Sequence, residues 1–156
     1  MTKPKIKMND DPKLREVLDQ EYETASQVQL CKYALMLAAH IRELVDFSNL
    51  DNKIIEEGLF INEQWQKGKV RVHELRQASF KIHKLAKTSE DALISTALRV
   101  TGHAVAAGHM KEHAMVASDY AIKVINLKYP MDMEAVKKER LWQIDELKEI
   151  KNSLHV

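Results

Sequence analysis

The chain has 156 residues with 24 basic against 23 acidic side chains, a net charge of +1; this is one domain's worth of sequence, and the balance argues against a surface built uniformly for polyanions. One cysteine, Cys31, excludes an intrachain disulfide and a thiolate zinc cluster, while four glycines and three prolines leave little room for many tight turns. Seven methionines and only 6% aromatic residues suit helical packing better than a sheet core.

The opening MTKPKIKMNDD is basic but has no apolar run behind it, so it does not read as a signal peptide, and a cytoplasmic protein is the default expectation. Residues 1–10 read as a flexible arm. Asp11-Pro12 then supplies an N-cap followed by proline at the first helical position, with Leu14, Val17, Leu18 and Tyr22 at helical spacing behind it. Ser26-x-x-Gln29 has the form of a capping box and opens a second helix. Its stripe of Leu30, Ala34, Leu37, Ile41, Leu44 and Phe47 describes one buried face.

Asp51 is the expected cap of a third helix, with Ile54, Gly58, Ile61 and Trp65 on one side and Ile55 and Leu59 flanking them. Gly68, in Lys67-Gly68-Lys69, suits the left-handed position that ends such a helix. A fourth helix follows through Val72, Leu75, Ser79, Ile82 and Ala86, and Thr88 to Asp91 resembles another capping box. The fifth helix is expected to run to about Gly108, the sixth from near Met110 to Leu127, where Tyr129-Pro130 stops it, and the last over roughly Met133 to Ser153. The fold class is all-α: a single domain over residues 1–156, a bundle of about seven helices. Ala92, Ser95, Ala97, Gly102, Ala104, Ala106, Ala107 and Gly108 let neighbours approach the fifth helix closely, which makes it the central one.

That helix also carries the most unusual chemistry. From Ala92 to Met110 the only formal charge is Arg99, yet His103 and His109 lie there and His113 just beyond. The hydroxyls, glycines and imidazoles of the stretch disfavour insertion into a membrane. His109-x-x-Glu112-His113 matches a zinc-hydrolase pattern in which two imidazoles on one helical face hold the metal and the glutamate acts as base. Gly108 stands where that helix breaks, and no third ligand is evident, so histidines satisfied within a helical core are the simpler reading. Cys31 and His40 fall on opposite sides of one helix, which separates a nucleophile from its base. Trp65 and Trp142 read as helix-contact residues. No phosphate loop, dinucleotide fingerprint or nucleophile elbow is present, no cofactor is expected, and nothing in the pattern supports an enzyme.

The charges are segregated. Glu43, Asp46, Asp51, Glu56, Glu57 and Glu63 face Lys53 alone among the bases of their segment, while Lys67, Lys69, Arg71, Arg76, Lys81, Lys84 and Lys87 share theirs with Glu74 alone. Mutual softening of two neighbouring helices is one use of such a pattern, and display of one face to a charged partner is another. A nucleic-acid module built on Lys67–Lys87 lacks aromatic interleaving.

Four segments occur in a telling order: KYALMLAA at Lys32–Ala39, WQKGKVRVHELRQASFKIHKLAK at Trp65–Lys87, TGHAVAAGHMKEHAMVASDYAIKVI at Thr101–Ile125 and ERLWQIDEL at Glu139–Leu147. Together they resemble the immunity-protein-five-like family, bacterial immunity proteins of polymorphic toxin systems, over roughly Gln27 to Leu147. The run Gly102–Ala114 and the R-x-W-Q tail carry most of that likeness; Phe80–Lys87 departs from it in being lysine-rich rather than alanine-rich. The resemblance implies an all-helical protein that neutralises a cognate toxin domain by binding, without catalysis, and it implies no particular contact residues. If the toxin is basic, the acidic Glu56, Glu57 and Glu63 are the expected contact, and homo-oligomerisation stays open because apolar stripes fill cores and dimer seams alike.

Overall fold

The computed structural model describes residues 1–153. Among them run seven α-helices and no strand: α1 (Pro12–Glu23), α2 (Gln27–Arg42), α3 (Asn52–Gln66), α4 (Val72–Thr88), α5 (Ala92–Ala106), α6 (His113–Lys128) and α7 (Met133–Ser153). The helix starts follow local chemistry. Asp11 accepts from the Leu14 amide with Pro12 at the first position of α1, and Ser26 and Gln29 exchange both bonds of a capping box. The start of α5 differs from the expected box: Asp91 is itself the cap, accepting from the amides of Leu93 and Ile94, and Thr88 is the last residue of α4. At the end of α3, Gly68 adopts φ +72°, which lets the Lys69 amide reach back to the carbonyl of Gln64.

Helix α5 is the hub. It packs on α2, α3, α4 and α6; α2 and α6 in turn carry α7, and α1 lies on α7. The α3–α4 hairpin therefore stands on one side of the hub and the α1–α7 pair on the other. Close approach to α5 rests on small buried residues: Ala97, Gly102, Ala104, Ala106 and Ala107 are all buried, with Val100 and Val105 filling between them. The α2 stripe is buried at Leu30, Ala34, Leu37 and Ile41, as its spacing predicts, with Leu44 half-buried.

Two placements depart from the sequence pattern. Helix α3 buries Ile55, Gly58 and Asn62 rather than the Ile54–Ile61–Trp65 side. Asn62 is fully buried because its amide donates to the carbonyl of Val105 at 2.9 Å where α3 crosses the end of α5. The N-terminal segment, expected as a flexible arm, is held at both ends. Thr2 donates from its amide to Asp19 at 2.8 Å, Asn9 and Asn126 exchange two bonds, and Asp10 pairs with Arg140. Two of these partners, Asp19 and Arg140, are buried, and bonds to them hold the segment against the bundle.

Candidate functional site

Three polar assemblies stand out. The first is a pocket of about 310 Å³ where α4, α5 and α6 meet, lined by imidazoles from His83, His103, His109 and His113 and by the guanidinium groups of Arg76 and Arg99. The α5 helix ends at Ala106, and the chain turns before α6 starts at His113. That break swings His113 back over His103, so that their Nδ1 atoms lie 2.9 Å apart with rings stacked at 5.2 Å. At that distance one nitrogen donates and the other accepts, so the pair shares one proton. Tyr120 stacks on His103 at 5.3 Å, and His83 meets it edge-on at 4.6 Å. Arg99 donates from Nη1 to His83 Nδ1 at 2.9 Å, which fixes His83 as the neutral tautomer protonated on Nε2. His83 lies directly on the backbone of Gly102, where a Cβ would stand 2.6 Å from its ring.

Electrostatics follow the geometry. Burial, aided by the charges of Arg99 and His113, holds the His83 imidazole down at about 4. Burial together with His83, His113, Arg99 and Lys5 takes His103 to about 3. His113 is lowered by burial, His109 and Lys5, with Glu112 opposing. All three are neutral at neutral pH.

The zinc-hydrolase pattern is dismantled by the same break. His109 lies in the turn and His113 begins α6, so the two do not share a continuous helix, and their ring centroids are 6.1 Å apart. Glu112 lines a different cavity, beside Tyr22 and Lys5. Among the described residues no group of three or more His, Cys, Asp or Glu side chains is arranged to hold a metal ion.

The second assembly is a buried ionic network that the sequence pattern did not reveal. Asp119 on α6, 2% exposed, accepts from Arg15 Nε and Nη2 of α1 at 3.0 and 2.9 Å and from Arg140 of α7 at 2.8 Å. Arg140 also holds both oxygens of Asp10 and the side-chain oxygen of Gln143. Gln143 passes the chain on to Glu139, whose other oxygen lies 2.7 Å from His40 Nε2; His40 in turn stacks on Trp142 at 3.8 Å. The R-x-W-Q tail is therefore a set of inter-helix ties. The available signal was Asp119 and Arg140 standing at positions of otherwise apolar helical faces.

The third assembly is the charged α3–α4 hairpin. Glu56 pairs with Arg42 of α2, Glu57 lies in the groove between α3 and α4 near His73 and Lys81, and Glu63 is exposed with no ion pair among the described residues. Phe60, one turn from each of Glu56 and Glu63, is 58% exposed. On α4, Phe80 is 54% exposed with Arg76 over its ring. Cys31 is fully buried against Asn62, and burial pushes its thiol up to about 12, so it is a packing residue rather than a nucleophile.

The class that these features define is an all-α bundle whose buried polar groups tie helices together. No helix of the described residues is long and apolar enough to cross a membrane. The chain belongs to the family described as Imm-5 like putative immunity protein, whose profile matches residues 20–150. Both the histidine run and the Glu139–Leu147 tail lie inside that match. Neither a curated protein nor a solved structure matches the chain.

Proposed function

We propose that this protein neutralises a cognate toxin domain in the cytoplasm of its producer by binding it, without catalysis, through the outer face of α3. Membership in a family of immunity proteins supports the first half of that reading. The exposed Phe60 between Glu56 and Glu63, with Glu57 beside it, supports the second. An aromatic ring standing in water is an anchor ready to be desolvated, and flanking carboxylates steer a basic partner onto it. Arg42 orients Glu56 and offsets its charge, which leaves Glu57 and Glu63 as the main steering carboxylates. A basic toxin surface, such as that of a nuclease, is the complementary partner, and covering its substrate path is the simplest way to inhibit it.

The test begins with tagged protein, recovered from the source organism and washed at high salt. A retained C-terminal domain of a secreted multidomain protein is the expected partner, and its inhibition by equimolar immunity protein the expected activity. Charge reversal at Glu56, Glu57 and Glu63 to lysine should then slow association by roughly tenfold or more at low salt while leaving the helical content intact. Phe60→Ala should speed dissociation, costing about 2 kcal/mol of binding. Unchanged kinetics in both variants would remove α3 from the interface.

A further inference from the structure

We propose that the pocket between α4, α5 and α6 is a binding site for a tetrahedral oxyanion of the phosphate class. Every ionisable group lining it carries or can take a positive charge: Arg76 and His83 from α4, Arg99 and His103 from α5, His109 from the turn and His113 from α6. No carboxylate of the described residues lines it. Around it, Lys5 adds positive potential at His103 and His113, and of the buried imidazoles only His113 feels Glu112, from outside the cavity. Among the described residues Arg76 and Arg99 have no acidic partner; Arg76 lies over Phe80 and Arg99 donates to a neutral imidazole. A half-buried guanidinium directed at histidine is an anomaly in a protein whose other inward arginines, Arg15 and Arg140, are all paired with aspartate. An anion in the pocket resolves it.

The arrangement favours a tetrahedral anion over a carboxylate or a metal. The donors converge from three helices and a turn rather than from one planar fork, and part of the Arg99 fork is already committed to His83. A cation would face two guanidinium groups with no carboxylate to offset them. One ring of the His103–His113 pair donates its Nδ1 proton to the other, so an anion beside the pair favours a further proton on the donor ring's Nε2, and binding strengthens as pH falls. The cavity of about 310 Å³ leaves room for a substituent beyond the anion itself, with Phe80 at its rim.

The experiment is a titration of the intact protein alone, and so is independent of the toxin reading. Inorganic phosphate is added at constant ionic strength, set with chloride, while imidazole nitrogen resonances are followed by NMR. Saturable shifts at His83, His103 and His113 are expected. Sulfate, whose charge is constant across the range, should bind more tightly at pH 6 than at pH 7.5. Arg99→Met should weaken phosphate binding by roughly tenfold. If that variant fails to fold, Arg76→Met at an exposed position gives the same reading with a several-fold loss. Shifts that do not saturate, or that chloride reproduces, overturn the site. Equal saturation by acetate would make it a carboxylate pocket, and equimolar zinc binding with no response to phosphate would make it a metal centre; either result overturns the assignment.

Discussion

At the scale of single residues, the imidazole pocket makes the fold acid-sensitive in a definite window. His83 and His103 titrate at about 4 and about 3 in the folded chain, against the ordinary 6.5 when unfolded. Between those values the unfolded chain binds more protons, so stability is full above about pH 6.5 and falls as pH drops toward the folded values. The thermal midpoint should therefore decrease from pH 7 to pH 5, and His103→Gln should flatten that decrease; a wild-type midpoint constant across the range would contradict it. Arg140 sets a larger stake. It is fully buried and bonded to Asp10, Asp119 and Gln143, so Arg140→Leu strips Asp10 of its guanidinium and leaves Asp119 with Arg15 alone. Urea unfolding should report a loss of about 3–5 kcal/mol. The pairing of Arg140 is not legible in the sequence, because its two carboxylate partners lie 130 and 21 residues away; a charge on an otherwise apolar helical face is the only sign of it.

At the scale of elements, a helix end is legible in the sequence wherever its own few residues decide it. Asp11-Pro12, Ser26 with Gln29, and Gly68 each satisfy orphan amides or carbonyls locally, and each was visible. A helix face is not legible where a distant helix decides it. The rotation of α3 that buries Asn62 depends on carbonyls at the end of α5, and two apolar stripes of similar quality competed for that face. The same logic gives opposite signs at two left-handed residues. Gly68→Ala places a Cβ at φ +72° and should cost about 1 kcal/mol, whereas Met131, exposed with φ +60°, should gain a similar amount as Met131→Gly. Chemical denaturation of the pair measures both. Gly108 is different in kind: a Cβ there would stand 2.6 Å from Leu75 Cδ1 and 3.0 Å from the Trp65 ring. Gly108→Ala should cost about 1–3 kcal/mol by overpacking and shift Trp65 emission, since the indole must move. An unshifted spectrum with full stability would place that contact elsewhere.

At the scale of the whole molecule, the bundle sorts its polar groups by region. The α1–α6–α7 side uses paired charges to lock helices together, and the α4–α5–α6 side holds an unpaired basic pocket. The α3 side carries acids around an exposed ring. Toxin binding at α3 and anion binding at the pocket should be separable. Charge reversal on α3 should leave the phosphate titration unchanged, and Arg99→Met should leave toxin association unchanged. Coupling between the two would show as a shift of toxin affinity when phosphate is added. The sequence signalled the charge segregation, but not that α2 supplies Arg42 to hold Glu56, nor that the four histidines converge.

The tie between Asp10 and Arg140 also has a meaning in time. A nascent chain emerges from its N-terminus, so Asp10 is exposed to the cell long before α7 exists to receive it. At about 5–20 residues per second, that carboxylate waits several seconds or longer for the guanidinium of Arg140. Until then Asp119 has only Arg15 as a guanidinium partner, and α1 has no α7 to lie on. The bundle closes only when α7 has been made, so a chain truncated before α7 keeps its ionic seam open.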